Sequence, residues 1–215
     1  MYLYYITDRK QLADEENDQA RLVIERIRMA AKARVDWIQL REKDLNDREL
    51  LNLGRTAAKV IAEVNSLRHE KRTRLLINSR IDLAIACGAD GVHLRADDLS
   101  AADARAVFMQ AGIEHPFIGV SCHGSEDVAL AEGHGADFVV LAPIFQTDKG
   151  PPLGTASLRE SCHGRLLPVL ALGGVTVGNA LECIEAGAHG IAGIRLFQNG
   201  KITQTVSRLR ALEAN

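Results

Sequence analysis

The sequence predicts an α/β chain folded as a single (β/α)8 TIM barrel, and three observations carry that prediction. Apolar runs of strand length recur along the 215 residues, each ending in a polar or glycine-rich cluster and each followed by a helical segment. One short pattern repeats, as Gly88-Ala89-Asp90, Gly135-Ala136-Asp137 and Gly187-Ala188-His189, always just before such a run. A glycine there closes a helix in the left-handed conformation, and a strand starts a few residues later. The run Val169-Leu170-Ala171-Leu172 is apolar throughout, as a parallel strand covered on both faces should be. An open doubly wound sheet shares this periodicity and stays as the alternative. In a closed ring every strand C-terminus lies on one face, so each polar strand end is a candidate for one shared site.

The elements follow in order. Strand 1 is expected at Leu3–Thr7 and a helix from about Asp18 to Ala33, with Leu22, Ile24, Ile27 and Ala31 near one face. Strand 2 is Trp37–Arg41, and the next helix starts at Asn46 with Glu49 in the capping-box position. Strand 3 is Leu75–Asn78, a short helix spans Ile81–Cys87, and strand 4 is Gly91–Leu94. Ser100 caps a helix ending at Gly112, and strands 5 and 6 follow at Phe117–Ser121 and Phe138–Ile144. Beyond a glycine- and proline-rich loop, Thr147–Gly154, come strand 7 (Val169–Leu172), a helix over Asn179–Ala186, strand 8 (Ile191–Leu196) and a last helix from near Thr203. No composition break divides residues 1–215 into more than one domain.

Composition narrows the function classes. A net charge of −2 and the lack of like-charge blocks leave no footprint for nucleic acid. No apolar stretch reaches spanning length, and the N-terminus lacks the basic start of a signal peptide, so no membrane partner is expected. Four separated cysteines without a CxxC pair argue against a zinc site or disulfide framework and suit a reducing cytoplasm. The sequence leaves room for a homo-oligomer.

The strand ends supply the chemistry. Alternation points Gln39 and Arg41 the same way with Lys43 just beyond, a pairing of fork and point charge suited to an anion. Pairing of those cations with Glu42 and Asp44 is the plain alternative. Asn78 either binds ligand or caps the next helix. Asp97 and Asp98 either hold Mg2+ through water or sit favourably before a helix N-terminus. His123, just past strand 5, is placed for general acid/base work, whereas His93, His134, His163 and His189 are read as structural or solvated. Cys122 is read as a packing residue. The Thr147–Gly154 loop is long enough to act as a lid, with Lys149 as its anion contact, or is merely a stiff surface loop. Bare amides at Gly173-Gly174 and a fixed cation at Arg195 follow strands 7 and 8, where such barrels commonly bind phosphate. The residues alone therefore indicate a small phosphorylated substrate as partner.

Particular strings go further. Gln39-Leu40-Arg41-Glu42-Lys43, Asn78-Ser79-Arg80, Gly91-Val92-His93-Leu94, Gly119-Val120-Ser121-Cys122-His123, Pro143-Ile144-Phe145 with Thr147 and Lys149-Gly150, and Leu172-Gly173-Gly174-Val175-Thr176 occur in this order. Together they resemble the thiamine-phosphate synthase/TenI superfamily over nearly the whole chain. The resemblance implies a thiazole phosphate ligand and one of two chemistries. In the synthase, Gln39, Arg41, Lys43 and Asn78 bind a hydroxymethylpyrimidine diphosphate, Ser121 lies near its diphosphate, and Lys149 neutralises the pyrophosphate expelled with Mg2+. Of the two acidic positions that carry Mg2+, one matches Asp98 and the other is Ser79 here; a usual serine after strand 8 is Arg195. In the TenI branch a thiazole tautomerase needs no metal, and His123 matches its acid/base. There Arg41 and Lys43 hold the substrate carboxylate while Gly173, Gly174 and Arg195 anchor its phosphate. Ser79 pulls toward the tautomerase, the full Gln39–Lys43 string and Asp98 toward the synthase. The expectation set first is the metal-independent tautomerase, then the Mg2+-dependent synthase, then a non-catalytic regulator that binds thiazole phosphate.

Overall fold

The computed structural model describes residues 1–13, 16–67, 72–148 and 150–212. Eight parallel strands close into a barrel in sequence order: β1 (Tyr2–Ile6), β2 (Trp37–Leu40), β3 (Arg74–Asn78), β4 (Gly91–Leu94), β5 (Phe117–Cys122), β6 (Phe138–Leu141), β7 (Val169–Ala171) and β8 (Gly190–Gly193). Pairing of Leu3 with Ile191 and of Tyr5 with Gly193 joins the last strand to the first, which excludes the open sheet. Around the ring run α1 (Glu16–Lys32), α2 (Asp47–Ser66), α3 (Ile81–Cys87), α4 (Ala101–Gln110), α5 (Ser125–Gly133), α6 (Gly154–Cys162), α7 (Ala180–Glu185), α8 (Arg195–Gln198) and α9 (Ile202–Ala211).

Local sequence explains the helices. Asn46 accepts from Glu49 N at 3.1 Å while the Glu49 side chain takes the Asn46 N–H, so the capping box forms as expected. Leu50, Leu53, Ala57, Val60, Ile61 and Val64 recur every three or four residues along α2 and are all buried. Each large apolar side chain so placed contributes roughly 1.5–3 kcal/mol relative to exposure. Gly88 terminates α3 at φ 72°, a conformation that penalises any Cβ.

The repeated Gly-Ala-Asp pattern has a second purpose. Asp90 Oδ2 accepts Leu75 N at 2.8 Å and Asp137 Oδ2 accepts Ile118 N at 2.7 Å, so each aspartate clamps the start of the preceding strand. Asp36 does the same for Leu3 N, at 2.8 Å. In the third copy His189 takes over, with Nδ1 3.3 Å from Val169 N. Burial lowers its pKa, which keeps that nitrogen an acceptor. All four clamps lie at the N-terminal end of the barrel.

Inside the ring the lower layers are aromatic and the top is polar. Phe138 sits 4.4 Å from Trp37, 5.1 Å from Phe117 and 5.2 Å from Tyr4, centroid to centroid. A Cβ at Gly119 would lie 2.2 Å from the Phe138 ring, so only glycine leaves room for this plug. Above it Gln39, Asn78, His93 and Ser121 form the floor of the mouth.

Two strand ends fall three residues short of expectation, where the other strand bounds agree to within one residue. Strand 6 stops at Leu141 rather than Ile144. Pro143, after a cis Ala142–Pro143 bond, has no N–H to extend a ladder. Strand 8 stops at Gly193, not Leu196, and Arg195 opens the short α8 instead of ending a strand. An apolar sequence cannot distinguish those two outcomes, because Leu196 and Phe197 pack from a helix as well as from a strand.

Candidate active site at the strand C-termini

The β2 exit is held by a buried network. Gln39, 2% exposed, donates Nε2–H to Asn78 Oδ1 at 2.8 Å across to β3. Thr7 accepts the Arg41 N–H at 3.0 Å and donates its hydroxyl to Glu42 Oε1 at 2.5 Å. Glu42 also accepts Arg9 N at 2.9 Å, and the buried Arg9 guanidinium reaches Asp44 at 2.6 Å. Burial raises the Glu42 pKa, opposed by these donors, whereas Arg9 and Lys10 hold Asp44 below the usual carboxylate range. The two acids at this turn therefore answer to the β1 loop, and among the described residues no ion pair joins either of them to Arg41. Lys43 is exposed and lines a cavity of about 320 Å³ with Glu42, Asn78, Ser79, Arg80 and Arg95.

Asn78 spends its second amide bond on Ser79 Oγ at 3.1 Å, so it does not cap α3. Ser79 itself adopts φ 58°, a left-handed conformation that costs a non-glycine residue about 1 kcal/mol. At the β4 exit Asp98 accepts Arg95 N at 2.7 Å and Nε at 3.3 Å. Burial pushes the Asp98 carboxyl up, but the neighbouring Ser79 hydroxyl and the Arg95 contacts outweigh it and hold the pKa below normal. Asp97 is exposed and pairs only with Arg95, at 3.2 Å, among the described residues.

His123 follows β5 directly and is exposed. Its Nδ1 lies 2.9 Å from the Ala142 carbonyl, which can only accept, so Nδ1 carries the proton and Nε2 is left basic. Asp127 fixes the backbone beneath it, accepting His123 N at 2.8 Å. Cys122 is buried with its pKa pushed up to about 12 by burial, a packing residue and not a nucleophile.

The β7 exit presses against the β6 exit. Ile144 N and Phe145 N donate to Leu172 O and Gly173 O, each at 2.9 Å. Gly173 (φ 92°) and Gly174 (φ 66°) are required there, since a Cβ on either would come within 2.7 Å of Pro143 or Phe145. Among the described residues no acceptor takes the N–H of Gly173 or Gly174. Arg195 is 72% exposed and 3.9 Å from Asp148. Thr147 forms a bridge with Gly150, giving the loop a small turn of its own. Lys149 lies outside the described residues.

All the predicted positions that are described thus share the C-terminal face. They divide into two groups: Gln39, Arg41, Lys43, Asn78 and Asp98 on the β2–β4 arc, and Gly173, Gly174 and Arg195 on the β7–β8 arc. Asn78 and Gly173 are four strands apart in an eight-strand ring, hence across the mouth from each other. Ser121 and His123 stand between the arcs. Sequence reasoning missed Thr7, Arg9 and Glu42, which hold the cationic turn. It also set aside His93, which touches both Tyr4 and Ser121. The signal for His93 was available: it occupies the inward phase of strand 4, where alternation predicts Val92 and Leu94 outward.

No group of three or more His, Cys, Asp or Glu capable of holding a metal occurs among the described residues. One carboxylate and one hydroxyl, Asp98 and Ser79, suit Mg2+ only when a substrate brings phosphate oxygens of its own, which is how Mg2+ is commonly held.

The family described as thiamine monophosphate synthase matches residues 3–197. The chain belongs to this family. It is 35% identical over 213 residues to the thiamine-phosphate synthase of Methanoculleus marisnigri, covering 97% of this chain and 93% of that one. With the thiamine-phosphate synthase of Syntrophomonas wolfei it shares 36% identity over 197 residues, 88% of this chain and 85% of that one. The solved thiamine phosphate pyrophosphorylase of Pyrococcus furiosus superposes with a TM-score of 0.80 at 28% identity, covering 98% of this chain and 94% of that one. The protein is therefore an enzyme of the thiamine-phosphate synthase family. These names favour the synthase, placed second above, over the tautomerase placed first. No helix among the described residues is long and apolar enough to cross a membrane.

Proposed function

We propose that the protein joins hydroxymethylpyrimidine diphosphate to thiazole phosphate, releasing pyrophosphate. The observation that carries this reading is the pair of anion-receptive arcs facing each other across one mouth. A condensation of two phosphorylated molecules needs two such ends, and each substrate's reacting atom then meets the other's at the centre. Gln39 and Asn78 would hold the pyrimidine, with Arg41, Lys43 and Ser121 around its diphosphate and Lys149 over the leaving group. The Gly173 and Gly174 amides, Arg195 and Thr147 would anchor the thiazole phosphate. The thiazole nitrogen then attacks the pyrimidine methylene carbon; the C–N bond forms, the C–O bond breaks, and its electron pair leaves on pyrophosphate. Asp98 would hold Mg2+, which when bound offsets charge on the diphosphate. Fixing both partners in line lowers the entropic barrier to their condensation.

A second reading, the tautomerase, is favoured by one observation: the basic Nε2 of His123, oriented by the Ala142 carbonyl at the rim. In it Arg41 and Lys43 hold a carboxylate and His123 moves the proton. Incubating the protein with both substrates and Mg2+ decides between them. Pyrophosphate and thiamine phosphate formed in equal amounts support the synthase. Their absence, with accelerated tautomer conversion of the carboxythiazole phosphate, supports the tautomerase. Inactivity in both assays with retained thiazole phosphate binding would leave the non-catalytic regulator.

A further inference from the structure

We infer that Tyr4 and His93 form a one-way hydrogen-bond relay that fixes Ser121 as a hydroxyl donor to an acceptor atom of the substrate. The inference deepens the synthase reading and rests on it only for the identity of that substrate.

The relay crosses the barrel interior through three strands. Tyr4 Oη of β1 is 3.0 Å from His93 Nδ1 of β4, and His93 Nε2 is 2.9 Å from Ser121 Oγ of β5. Tyr4 is 0% and His93 3% exposed, so water does not compete for either end of the first bond. Tyr4 is enclosed by the rings of Trp37 and Phe138. Among the described residues His93 is the one hydrogen-bond partner of its hydroxyl.

That isolation sets the direction of every proton in the chain. The phenol hydrogen has one acceptor in reach, the Nδ1 lone pair. Were Nδ1 protonated instead, the phenol hydrogen would be stranded among aromatic rings, a loss of about 1–3 kcal/mol. The neutral ring must then carry its proton on Nε2, which donates to Ser121 Oγ. With Oγ already accepting, and no other partner for Ser121 among the described residues, the serine hydrogen is left for the mouth above it. Ser121 is half-buried at the end of β5, beside His123 and between the two arcs. That hydrogen calls for an acceptor on the ligand, a phosphate oxygen or an unprotonated ring nitrogen, while the second Oγ lone pair stays open. Tyr4 and His93 act through Ser121 and are positioning residues.

The test uses the full chain. With 15N-labelled histidine and no ligand, His93 should show an unprotonated Nδ1 and a protonated Nε2 from roughly pH 8 to pH 5. The opposite tautomer, or an imidazolium in that range, overturns the relay. Tyr4→Phe, which keeps the ring, should lower kcat/KM for coupling roughly tenfold, the worth of one buried hydrogen bond. Ser121→Ala should lower it at least as far, and adding Tyr4→Phe to Ser121→Ala should cost nothing more. Independent multiplying losses, or full turnover in Ser121→Ala, would also overturn it. If the wild type releases no pyrophosphate the synthase reading fails; the nitrogen spectrum still decides the relay, and the same cycle is then read on tautomer conversion.

Discussion

Gln39 and Asn78, which stand 39 residues apart in the chain, share a 2.8 Å hydrogen bond between the ends of adjacent strands. Gln39 is 2% exposed and Asn78 half-buried, so the donor end of this bond is sheltered from water. Asn78→Ala should therefore cost about 1–3 kcal/mol by leaving a buried amide unpaired. Asn78→Asp keeps the accepting oxygen and should retain most of that stability. Urea unfolding of the two variants gives the comparison; equal loss in both would show that the bond is not the reason.

Ser79 stands where an acidic residue is expected for Mg2+, and its backbone is already left-handed at φ 58°. Aspartate tolerates that conformation better than most residues. Ser79→Asp should fold normally and lower the Mg2+ concentration for half-maximal pyrophosphate release by roughly fivefold or more, through the added charged ligand. An unchanged Mg2+ dependence would mean that the metal does not sit beside Ser79.

His123→Gln separates the two chemistries. Tautomer conversion, if the protein performs it, should fall by about 10²–10⁴ on loss of the acid/base. Coupling, which asks no proton transfer of this residue, should stay within roughly tenfold of the wild type. Binding of thiazole phosphate should remain measurable by calorimetry. A collapse of coupling to match tautomerisation would place His123 in both reactions.

His93 predicts a pH dependence of stability. Burial pushes its pKa down to about 3, helped by the positive charge of Arg41 and opposed by Asp98. The unfolded chain binds that proton below about pH 6.5, and the folded one does not until near its own lower value. Stability from the neutral ring is complete above about pH 6.5 and is lost as pH falls toward 3, at up to about 1.4 kcal/mol per pH unit. Replacing the ring by glutamine should flatten the profile in that window, read by urea midpoints at successive pH values. Parallel profiles would refute the assignment.

Asp90 tests the lower end of the barrel. It holds Leu75 N at 2.8 Å and pairs with Arg72. Asp90→Ala should destabilise by about 1–3 kcal/mol while leaving KM unchanged, because no predicted site residue lies at that end. A changed KM would show that the two ends of the barrel are coupled.

Much of the architecture was legible because helix-closing glycines and strand-starting aspartates report themselves locally. Gly91–Leu94 and Ile81–Cys87 match the expected bounds, and Asn46 and Ser100 cap their helices as read. The boundaries that failed, after Leu141 and Gly193, are places where the chain stays apolar while it leaves the sheet. The rim positions could be read because alternation and strand ends locate them. Partnerships across the ring could not: Thr7 with Glu42, or Tyr4 with His93 and Ser121, depend on which residues barrel closure brings level. That registration is a property of the whole circle, and no window of sequence contains it. The ranking of tautomerase above synthase leaned on one substituted residue, Ser79, and the likeness of the full chain to named synthases weighs against it.

The aspartates at positions 36, 90 and 137 and the histidine at 189 staple strand beginnings, far from every residue assigned to chemistry. Scaffold and reactivity are in this way written at opposite poles of the same strands. Residues of the upper pole such as Ser79 or Arg195 can change while the lower pole keeps the vessel shut. New catalysts drawn from this chain should accordingly be sought by varying the loops above the strands and leaving the staples alone.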